Sequence, residues 1–222
     1  MTRLFTSDLH FGHANIIRYC NRPFADVGEM NEGLVANWNE VVGADDEVWV
    51  LGDVAMGPIH ESLSFVGRLA GRKVLVAGNH DRCWAGHGPA SEKWIDVYRD
   101  AGFDAILQGA VTTTVAGIEV RCCHFPYAGD SRDEERFVAE RPADDGLVLL
   151  HGHVHEKWRT NGRQINVGVD RWNYRPVPEA TLVGLISAAA SGPADAGSEV
   201  DPAVGEVGAG AAASVEGDQP PR

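Results

Sequence analysis

Several short fragments in the first 155 residues contain the residue types that coordinate metal ions. In chain order they are Asp8-Leu9-His10, Gly52-Asp53, Gly78-Asn79-His80-Asp81, His124 and Gly152-His153-Val154-His155. These fragments supply carboxylate, amide-oxygen and imidazole ligands without a thiolate. Such a mixed oxygen and nitrogen set suits borderline metals such as Mn, Fe, Co, Ni or Zn.

The spacing within two of the fragments suggests paired ligands. Asp8 and His10 are two residues apart, so a continuing strand would direct both side chains to one face, and the same spacing recurs at His153 and His155. Two such pairs can hold two metals if a shared carboxylate bridges the ions, and Asp53 is the candidate for that bridge. Two adjacent metal ions can polarise a substrate and lower the pKa of a bound water, which is hydrolytic chemistry.

Each fragment has an ordinary structural interpretation when it is taken alone. An Asp-x-His sequence after a strand is commonly a plain loop, and Gly78-Asn79-His80-Asp81 also fits a turn. A single histidine such as His124 is more often a buried structural residue than a ligand. The occurrence of all the fragments in one chain, each directly after a predicted strand, favours a metal site.

The elements that position these residues are those of an α/β domain, because short apolar runs alternate with amphipathic stretches. Strands are predicted at residues 3–7, 47–51, 73–77, 105–107, 111–115, 118–122, 147–150 and 164–167. Helices are predicted at residues 29–42, 61–69, 91–101 and 178–187. The carboxyl ends of strands in such sheets converge on one crevice, so we expect the candidate ligands to meet there.

Together the fragments resemble the signature of the calcineurin-like metallophosphoesterases over residues 6–155. The resemblance implies a four-layer αββα sandwich, in which two mixed β-sheets are flanked by helices. It also implies two divalent or mixed-valence metal ions, for which we favour Mn over Fe, Ni, Co and Zn. One implied metal site consists of Asp8, His10, Asp53 and His155, and the other consists of Asp53, Asn79, His124 and His153. His80 is implied as the catalytic residue that binds no metal, and Asp81 as a residue that could orient it.

Differences between branches of this family narrow the expected substrate. Asp53 is followed by Val-Ala-Met-Gly, whereas the Ser/Thr protein phosphatases and diadenosine tetraphosphatases have Val-Asp-Arg-Gly. The opening Ser-Asp-Leu-His-Phe-Gly-His is similar to that of the nuclease and phosphodiesterase branches. We therefore expect a phosphodiesterase acting on a small, nucleotide-type substrate, with His13, Arg18 and Arg22 as candidate substrate contacts. A small-molecule phosphomonoesterase is the alternative, and a non-catalytic scaffold like the retromer subunit of this fold is a third possibility.

Composition divides the chain into two parts. Residues 188–222 have no aromatic residue, Leu or Ile, and this composition predicts a disordered acidic Ala/Gly/Pro-rich tail after a phosphoesterase domain at residues 1–187. The whole chain has a net charge of −13, and residues 1–187 keep −8. This charge argues against binding to long nucleic acids. We see no signal peptide or membrane span and expect reduced cysteines, which together predict a cytoplasmic enzyme. The oligomeric state is not predicted.

Overall fold

Two five-stranded β-sheets form the centre of the structure, a computed structural model that describes residues 1–191. The strands are β1 (Arg3–Thr6), β2 (Glu47–Val50), β3 (Arg72–Val76), β4 (Ala105–Leu107), β5 (Val111–Val115), β6 (Ile118–Cys122), β7 (Val148–His151), β8 (Thr160–Asn161), β9 (Gln164–Asn166) and β10 (Val177–Pro178). The helices are α1 (Ala14–Tyr19), α2 (Val27–Val41), α3 (Ile59–Ser64), α4 (Glu92–Ala101) and α5 (Glu179–Ser191).

Both sheets are mixed. The first has the order β10-β1-β2-β3-β4, in which β1 to β4 are parallel and β10 runs antiparallel to β1. The second has the order β5-β6-β7-β9-β8, in which β6, β7 and β9 are parallel and the edge strands are antiparallel. The predicted α/β class, with two mixed sheets and flanking helices, is confirmed.

Two buried clusters hold the layers together. Leu4, Val48 and Val50 on one face of the first sheet share a cluster with Leu34 and Trp38 of α2. The opposite face of the first sheet packs against the second sheet and α5, and the three together form a second buried cluster. The buried residues of that cluster include Phe5, Leu51, Val76, Val120, Cys122, Leu150, Ile165, Leu182 and Ile186. Burial of apolar surface in these layers is the main force that fixes the relative position of the two sheets.

Local sequence signals explain two of the elements directly. Helix α2 begins where the Asp26 carboxylate accepts a hydrogen bond from the Glu29 backbone N–H at 2.9 Å, an N-cap interaction. The β5–β6 hairpin turns at Ala116 and Gly117, which both have positive φ, at 49° and 81°. This pair of left-handed residues matches the right-handed twist of the strands that the turn connects.

The structure differs from the predicted elements in three respects. The predicted helix at 61–69 is instead α3 followed by a short 3₁₀ segment at Phe65–Arg68. The short elements α1, β8 and β10 were not predicted. Helix α5 continues to Ser191, so the predicted boundary after residue 187 is too early, and the rest of the predicted tail, 192–222, lies outside the described residues. Within residues 1–191, no helix combines the length and apolar character that crossing a membrane requires.

Candidate metal centre

The loops that follow five strands meet at one end of the molecule. Asp8, Asp53 and Asn79 follow the parallel strands β1, β2 and β3, and His124 and His153 follow β6 and β7. Backbone hydrogen bonds join these loops: Asp8 N–H donates to Gly52 O at 3.0 Å, and Gly152 N–H donates to His124 O at 3.1 Å. The sequence-predicted convergence of these fragments is therefore present in the structure.

The backbone at this site is unusual. Five residues with side chains have left-handed conformations there, with φ of 58° at Asp8, 55° at His10, 56° at Asp53, 72° at His153 and 50° at His155. Our expectation that a continuing strand presents Asp8 and His10 was wrong, because β1 ends at Thr6. Left-handed conformations of residues other than glycine are sparsely populated, and they cluster where function requires a fixed geometry.

A first group of donor atoms comes from Asp8, His10 and His155. One ligand atom from each of these buried side chains lies within 4.8 Å of the others. His10 Nε2 is 3.9 Å from Asp8 Oδ1 and 3.7 Å from Asp53 Oδ2. The Asp53 carboxylate thus stands beside this group.

A second group shares the same Asp53 oxygen. Asp8, Asp53 and His124 also bring ligand atoms within 4.8 Å of one another. His124 Nε2 is 3.5 Å from Asp53 Oδ2 and 3.1 Å from Asn79 Oδ1. Asp53 Oδ2 is therefore close to both His10 and His124, as a bridging carboxylate must be.

These distances fit metal coordination better than direct hydrogen bonding. Two ligand atoms each about 2.1 Å from a shared ion lie roughly 3 to 4 Å apart, depending on the angle at the metal. The His10–carboxylate distances fall in that range and exceed a hydrogen bond. Both ring nitrogens of His10 are buried without a hydrogen-bond partner among the described residues. A buried, unpartnered imidazole facing two carboxylates indicates a position made for a cation.

The low pKa values of two of the histidines, His10 and His153, also favour metal binding. Burial lowers the pKa of His10 well below its usual range, and burial with repulsion from His124 lowers the pKa of His153 to about 3. Only the neutral imidazole coordinates a metal, so both rings are ready to bind at neutral pH. His155 differs: burial opposes its protonation, but attraction to Asp8 and to Asp170, whose carboxylate lies 3.7 Å from His155 Nδ1, outweighs burial and raises its pKa.

A carboxylate outside the predicted set fixes the ring of His153. Asp130 Oδ2 is 3.1 Å from His153 Nε2, which leaves Nδ1 as the ring nitrogen that can face the centre. Arg136 in turn donates to Asp130 Oδ1 at 2.6 Å. Hydrogen bonds of this type fix the tautomer and orientation of a metal-binding histidine. Asp130 could not be found from the sequence, since the segment around it has no periodicity and no recognisable motif.

Asp170 and Arg22 form a second support, and here a prediction requires correction. Arg22 was a candidate substrate contact, but its side chain is buried and donates to both carboxylate oxygens of Asp170 at 2.8 Å. It also donates to the carbonyl oxygen of Asp8 at 2.8 Å. With its donors engaged inside the protein, Arg22 holds the loop of Asp8 in place and does not face a substrate.

Asp81 likewise has a different role from the one considered for it. Its carboxylate accepts hydrogen bonds from the backbone N–H groups of Asp53, Val54 and Gly78 at 2.9 to 3.0 Å. Burial and the nearby charge of Asp53 raise the pKa of Asp81 to about 6. Asp81 therefore ties the loop after β2 to the loop after β3 and does not orient the His80 ring.

His80 stands above the buried donors and faces solvent. Its backbone N–H donates to Asp53 Oδ1 at 2.9 Å, and its ring Nε2 is 4.0 Å from Asp53 Oδ2. The His80 side chain is 39% exposed, whereas that of Asp53 is 1% exposed. A reactive group placed here can reach a molecule bound at the centre.

Two clefts meet at His80 and Met56. The first, which we call the Trp94 cleft, has a volume of about 410 Å³ and is lined by Ala55, Met56, Gly57, Ile59, Asn79, His80, Arg82, His87, Ala90, Lys93 and Trp94. The second, the Tyr19 cleft, has a volume of about 550 Å³ and is lined by His10, His13, Ile16, Tyr19, Cys20, Met56, His80, Ser131, Arg132, Arg136, His155 and Glu156. The candidate metal centre is thus accessible from two sides.

The remaining candidate substrate contacts are placed differently. His13 lines the Tyr19 cleft, with its ring 5.2 Å from that of His10, and burial lowers its pKa to about 4. Arg18 is exposed, and its guanidinium lies 5.5 Å from the ring centre of Tyr19 without lining either cleft. Contact between these residues and a substrate stays a prediction.

Comparison with known proteins adds an independent observation. A family model described as calcineurin-like phosphoesterase matches residues 1–170. The Gene 66 protein of Mycobacterium phage D29 is 38% identical over 189 residues, which cover 76% of this chain and 88% of that protein. The uncharacterized protein MJ1445 of Methanocaldococcus jannaschii is 33% identical over 189 residues, with 81% and 88% covered.

A solved structure shares the fold. The protein of unknown function AQ665 from Aquifex aeolicus superimposes with a TM-score of 0.63 at 28% sequence identity. The match covers 83% of this chain and 99% of that chain. The similarity therefore extends over the whole length of the Aquifex protein.

Proposed function

This chain belongs to the calcineurin-like phosphoesterase family, and from that premise we propose that it hydrolyses phosphodiester bonds in a small, nucleotide-type substrate. The family uses divalent metal ions and acts on phosphate esters. Beyond the family, we propose which residues hold the ions, a role for His80 in the reaction and a preference for diester substrates.

Seven side chains are proposed as metal ligands. One ion is held by Asp8, His10, Asp53 and His155, and the second by Asp53, Asn79, His124 and His153. The short distances from Asp53 Oδ2 to His10 and His124, 3.7 Å and 3.5 Å, support its role as the shared ligand. The ligand set lacks a thiolate and combines oxygen with nitrogen donors, which suits Mn, Fe, Co, Ni or Zn. Among these metals we propose manganese.

Two such ions, when bound, would act as Lewis acids on the phosphate and lower the pKa of the water that attacks it. The protein's own contribution is positioning and proton transfer. His80 is the proposed general acid, since its exposed ring is held above Asp53 by the hydrogen bond from its own backbone N–H. From this position it can protonate the departing alkoxide or stabilise negative charge in the transition state.

The meeting of two clefts at His80 is the observation that favours a diester. A phosphate diester carries an organic group on two sides of the phosphorus, and a monoester carries one. The Trp94 cleft and the Tyr19 cleft extend from His80 with volumes of about 410 Å³ and 550 Å³. Each is large enough to hold one organic substituent while the phosphate lies at the metal centre.

A comparison of two chromogenic substrates tests the proposal. Metal-stripped protein is resupplied with Mn²⁺, and kcat/KM is measured for bis(p-nitrophenyl) phosphate and for p-nitrophenyl phosphate. We expect hydrolysis that depends on added metal and a preference of about 10-fold or more for the diester, equivalent to ~1.4 kcal/mol in the transition state. The opposite preference would identify a phosphomonoesterase. Absence of turnover with Mn²⁺, Fe²⁺, Co²⁺, Ni²⁺ and Zn²⁺ would favour a non-catalytic scaffold.

A further inference from the structure

The Trp94 cleft has a concentration of positive charge that hydrolysis of a simple diester does not require. Its lining includes Arg82, His87 and Lys93, and no Asp or Glu. The Tyr19 cleft, in contrast, contains Glu156 beside its two arginines, and one of those, Arg136, is bound to Asp130. The whole chain has a net charge of −13, so a basic cleft next to the metal centre is a local exception.

The guanidinium of Arg82 is positioned by an aromatic ring and not by an acidic side chain. It lies over the ring of Trp94, 5.3 Å from the ring centre, and the Arg82 backbone N–H donates to the Tyr98 hydroxyl at 3.1 Å. Among residues 1–191, neither Arg82 nor Lys93 forms an ion pair with an acidic side chain. An aromatic ring positions a guanidinium through its face and leaves the N–H donors at the edge available.

These cations line the same cleft as two residues of the candidate metal centre, Asn79 and His80. Arg82 follows His80 by two residues, and Asn79 and His80 line the same cleft. Lys93 is in the first turn of α4, directly before Trp94 in the sequence. A substrate whose scissile phosphate lies at the metal centre can therefore extend along the cleft and reach both cations.

We propose that the Trp94 cleft binds a second phosphate group of the substrate, carried on the organic substituent that enters this cleft. This inference rests on the proposed phosphodiesterase function and narrows its substrate class to diesters that bear a further phosphomonoester. A planar guanidinium binds two oxygens of a phosphate at once, and an ammonium adds a compact positive charge. Arg82 and Lys93 are therefore specificity-determining residues, which act on binding of the second phosphate and not on the chemical step.

A matched pair of substrates isolates this contribution. Thymidine 5′-(p-nitrophenyl phosphate) has one phosphate, and its 3′-phosphorylated derivative has the same scissile bond with a second phosphate added. Full-length protein with Mn²⁺ is assayed with both substrates, along with the variants Arg82→Gln and Lys93→Gln. Arg99→Gln is the control. Arg99 is an exposed arginine in α4, the helix that contains Lys93, but Arg99 itself lines neither cleft.

We expect wild-type protein and Arg99→Gln to prefer the 3′-phosphorylated substrate by about 10-fold or more in kcat/KM. Each cleft variant should lose most of that preference through a higher KM, with kcat within about twofold of wild type. In the two cleft variants, kcat/KM for bis(p-nitrophenyl) phosphate, which has no second phosphate, should fall less than kcat/KM for the 3′-phosphorylated substrate, and Arg99→Gln should match wild type on both. Equal kcat/KM values for the two thymidine substrates in wild type, or equal losses on both in the variants, would overturn the inference and leave the phosphodiesterase proposal intact.

Binding separates the two proposals if no substrate is hydrolysed. Calorimetric titration then compares thymidine 3′,5′-bisphosphate with thymidine 5′-phosphate on the Mn²⁺-loaded protein. If wild-type protein binds the bisphosphate more tightly and both Arg82→Gln and Lys93→Gln lose this advantage, the result would support the phosphate site even though the proposed activity had failed. Equal affinity for the two nucleotides would reject the site.

Discussion

At the scale of single residues, the candidate metal centre consists of buried donors held by other charged groups. His153 is held by Asp130, and the Asp8 loop is held by Arg22, whose partner Asp170 also lies 3.7 Å from His155 Nδ1. These supporting charges restrict the orientation of the rings and loops before any ion arrives. A preorganised donor set loses less conformational entropy on binding a metal than a flexible set does.

The link between Asp130 and His153 gives a residue-scale prediction. Asp130→Asn weakens the hydrogen bond that fixes the His153 ring, so metal affinity should fall about 10- to 100-fold, as for other outer partners of metal-binding histidines. Chelator competition with Mn²⁺ measures this affinity. Glu135→Gln is the matched control, because Glu135 lies on the same segment and pairs with Arg141 without contacting a histidine. Wild-type affinity in Asp130→Asn would show that Asp130 has no part in ordering the site.

Residue types and their spacing predicted which candidate ligand fragments converge but not the residues that support them. Asp8, Asp53 and the histidines stand in short motifs whose composition is unusual, and this makes them visible in the sequence. Asp130 acts on a histidine 23 positions away, and Arg22 acts on Asp170 at a separation of 148. Pairings at such distances depend on the tertiary fold, so the chain alone led us to assign Arg22 to the substrate.

At the scale of elements, the close approach of loops decides the geometry. Gly152, at the end of β7, lies against the loop after β1: a Cβ at this position would overlap Ser7 Oγ and come within 2.5 Å of Asp8 Oδ2. The His153 N–H that follows donates to the Asp8 carboxylate at 3.0 Å. The hydrogen bond between the His153 N–H and the Asp8 carboxylate, which joins the loops of the two sheets, can therefore form only if residue 152 has no side chain.

Gly152→Ala tests this element-scale interpretation. The added methyl group should displace the Asp8 carboxylate, lowering Mn²⁺ affinity by at least about 10-fold and the free energy of unfolding by ~1 to 3 kcal/mol. Chelator competition and denaturant unfolding measure the two effects. Gly184→Ala in α5 is the control, since a Cβ there meets no atom within 4 Å and Ala favours a helix over Gly. Full metal affinity in Gly152→Ala would show that the loops can separate without harm.

Elements with strong patterns were predictable, and very short ones were not. The parallel strands β1, β2 and β3 are runs of apolar residues, and their ends fell within one residue of the prediction. Helix α1 has only six residues and β10 only two, which is too short for a periodic pattern to show. The left-handed backbone at Asp8 and His10 was not predicted either, because Asp and His are common in loops of ordinary conformation although they are enriched at positive φ.

At the scale of the whole molecule, two sheets and the helix α5 form one body around the second buried cluster. Leu182 and Ile186 of α5 are both fully buried there. The sequence beyond this helix lacks aromatic residues, Leu and Ile, so its composition gives it little apolar surface to bury. The stable domain should therefore end with α5.

Truncation separates the two parts of the chain. A protein that stops after Ser191 should keep the melting temperature and specific activity of the full chain, because the removed residues include no aromatic residue, Leu or Ile. A protein that stops after Pro178 lacks α5 and should be severely destabilised, since loss of one buried Leu or Ile side chain costs roughly 2 to 5 kcal/mol. A large fall in melting temperature after the first truncation would show that residues 192–222 contribute to the folded domain.

The central claim is that Asp53 holds metal and His80 acts on the substrate without holding metal. Metal content per chain, measured by mass spectrometry on Asp53→Ala and His80→Ala, tests this division most directly, with Asp45→Ala as a control at an exposed acid outside both clefts. We predict that Asp45→Ala and His80→Ala retain two metals per chain and that Asp53→Ala loses at least one. His80→Ala should nevertheless lose roughly 10²- to 10⁴-fold in turnover of substrates with poor leaving groups. Metal loss in His80→Ala equal to that in Asp53→Ala would make His80 a ligand and contradict the account.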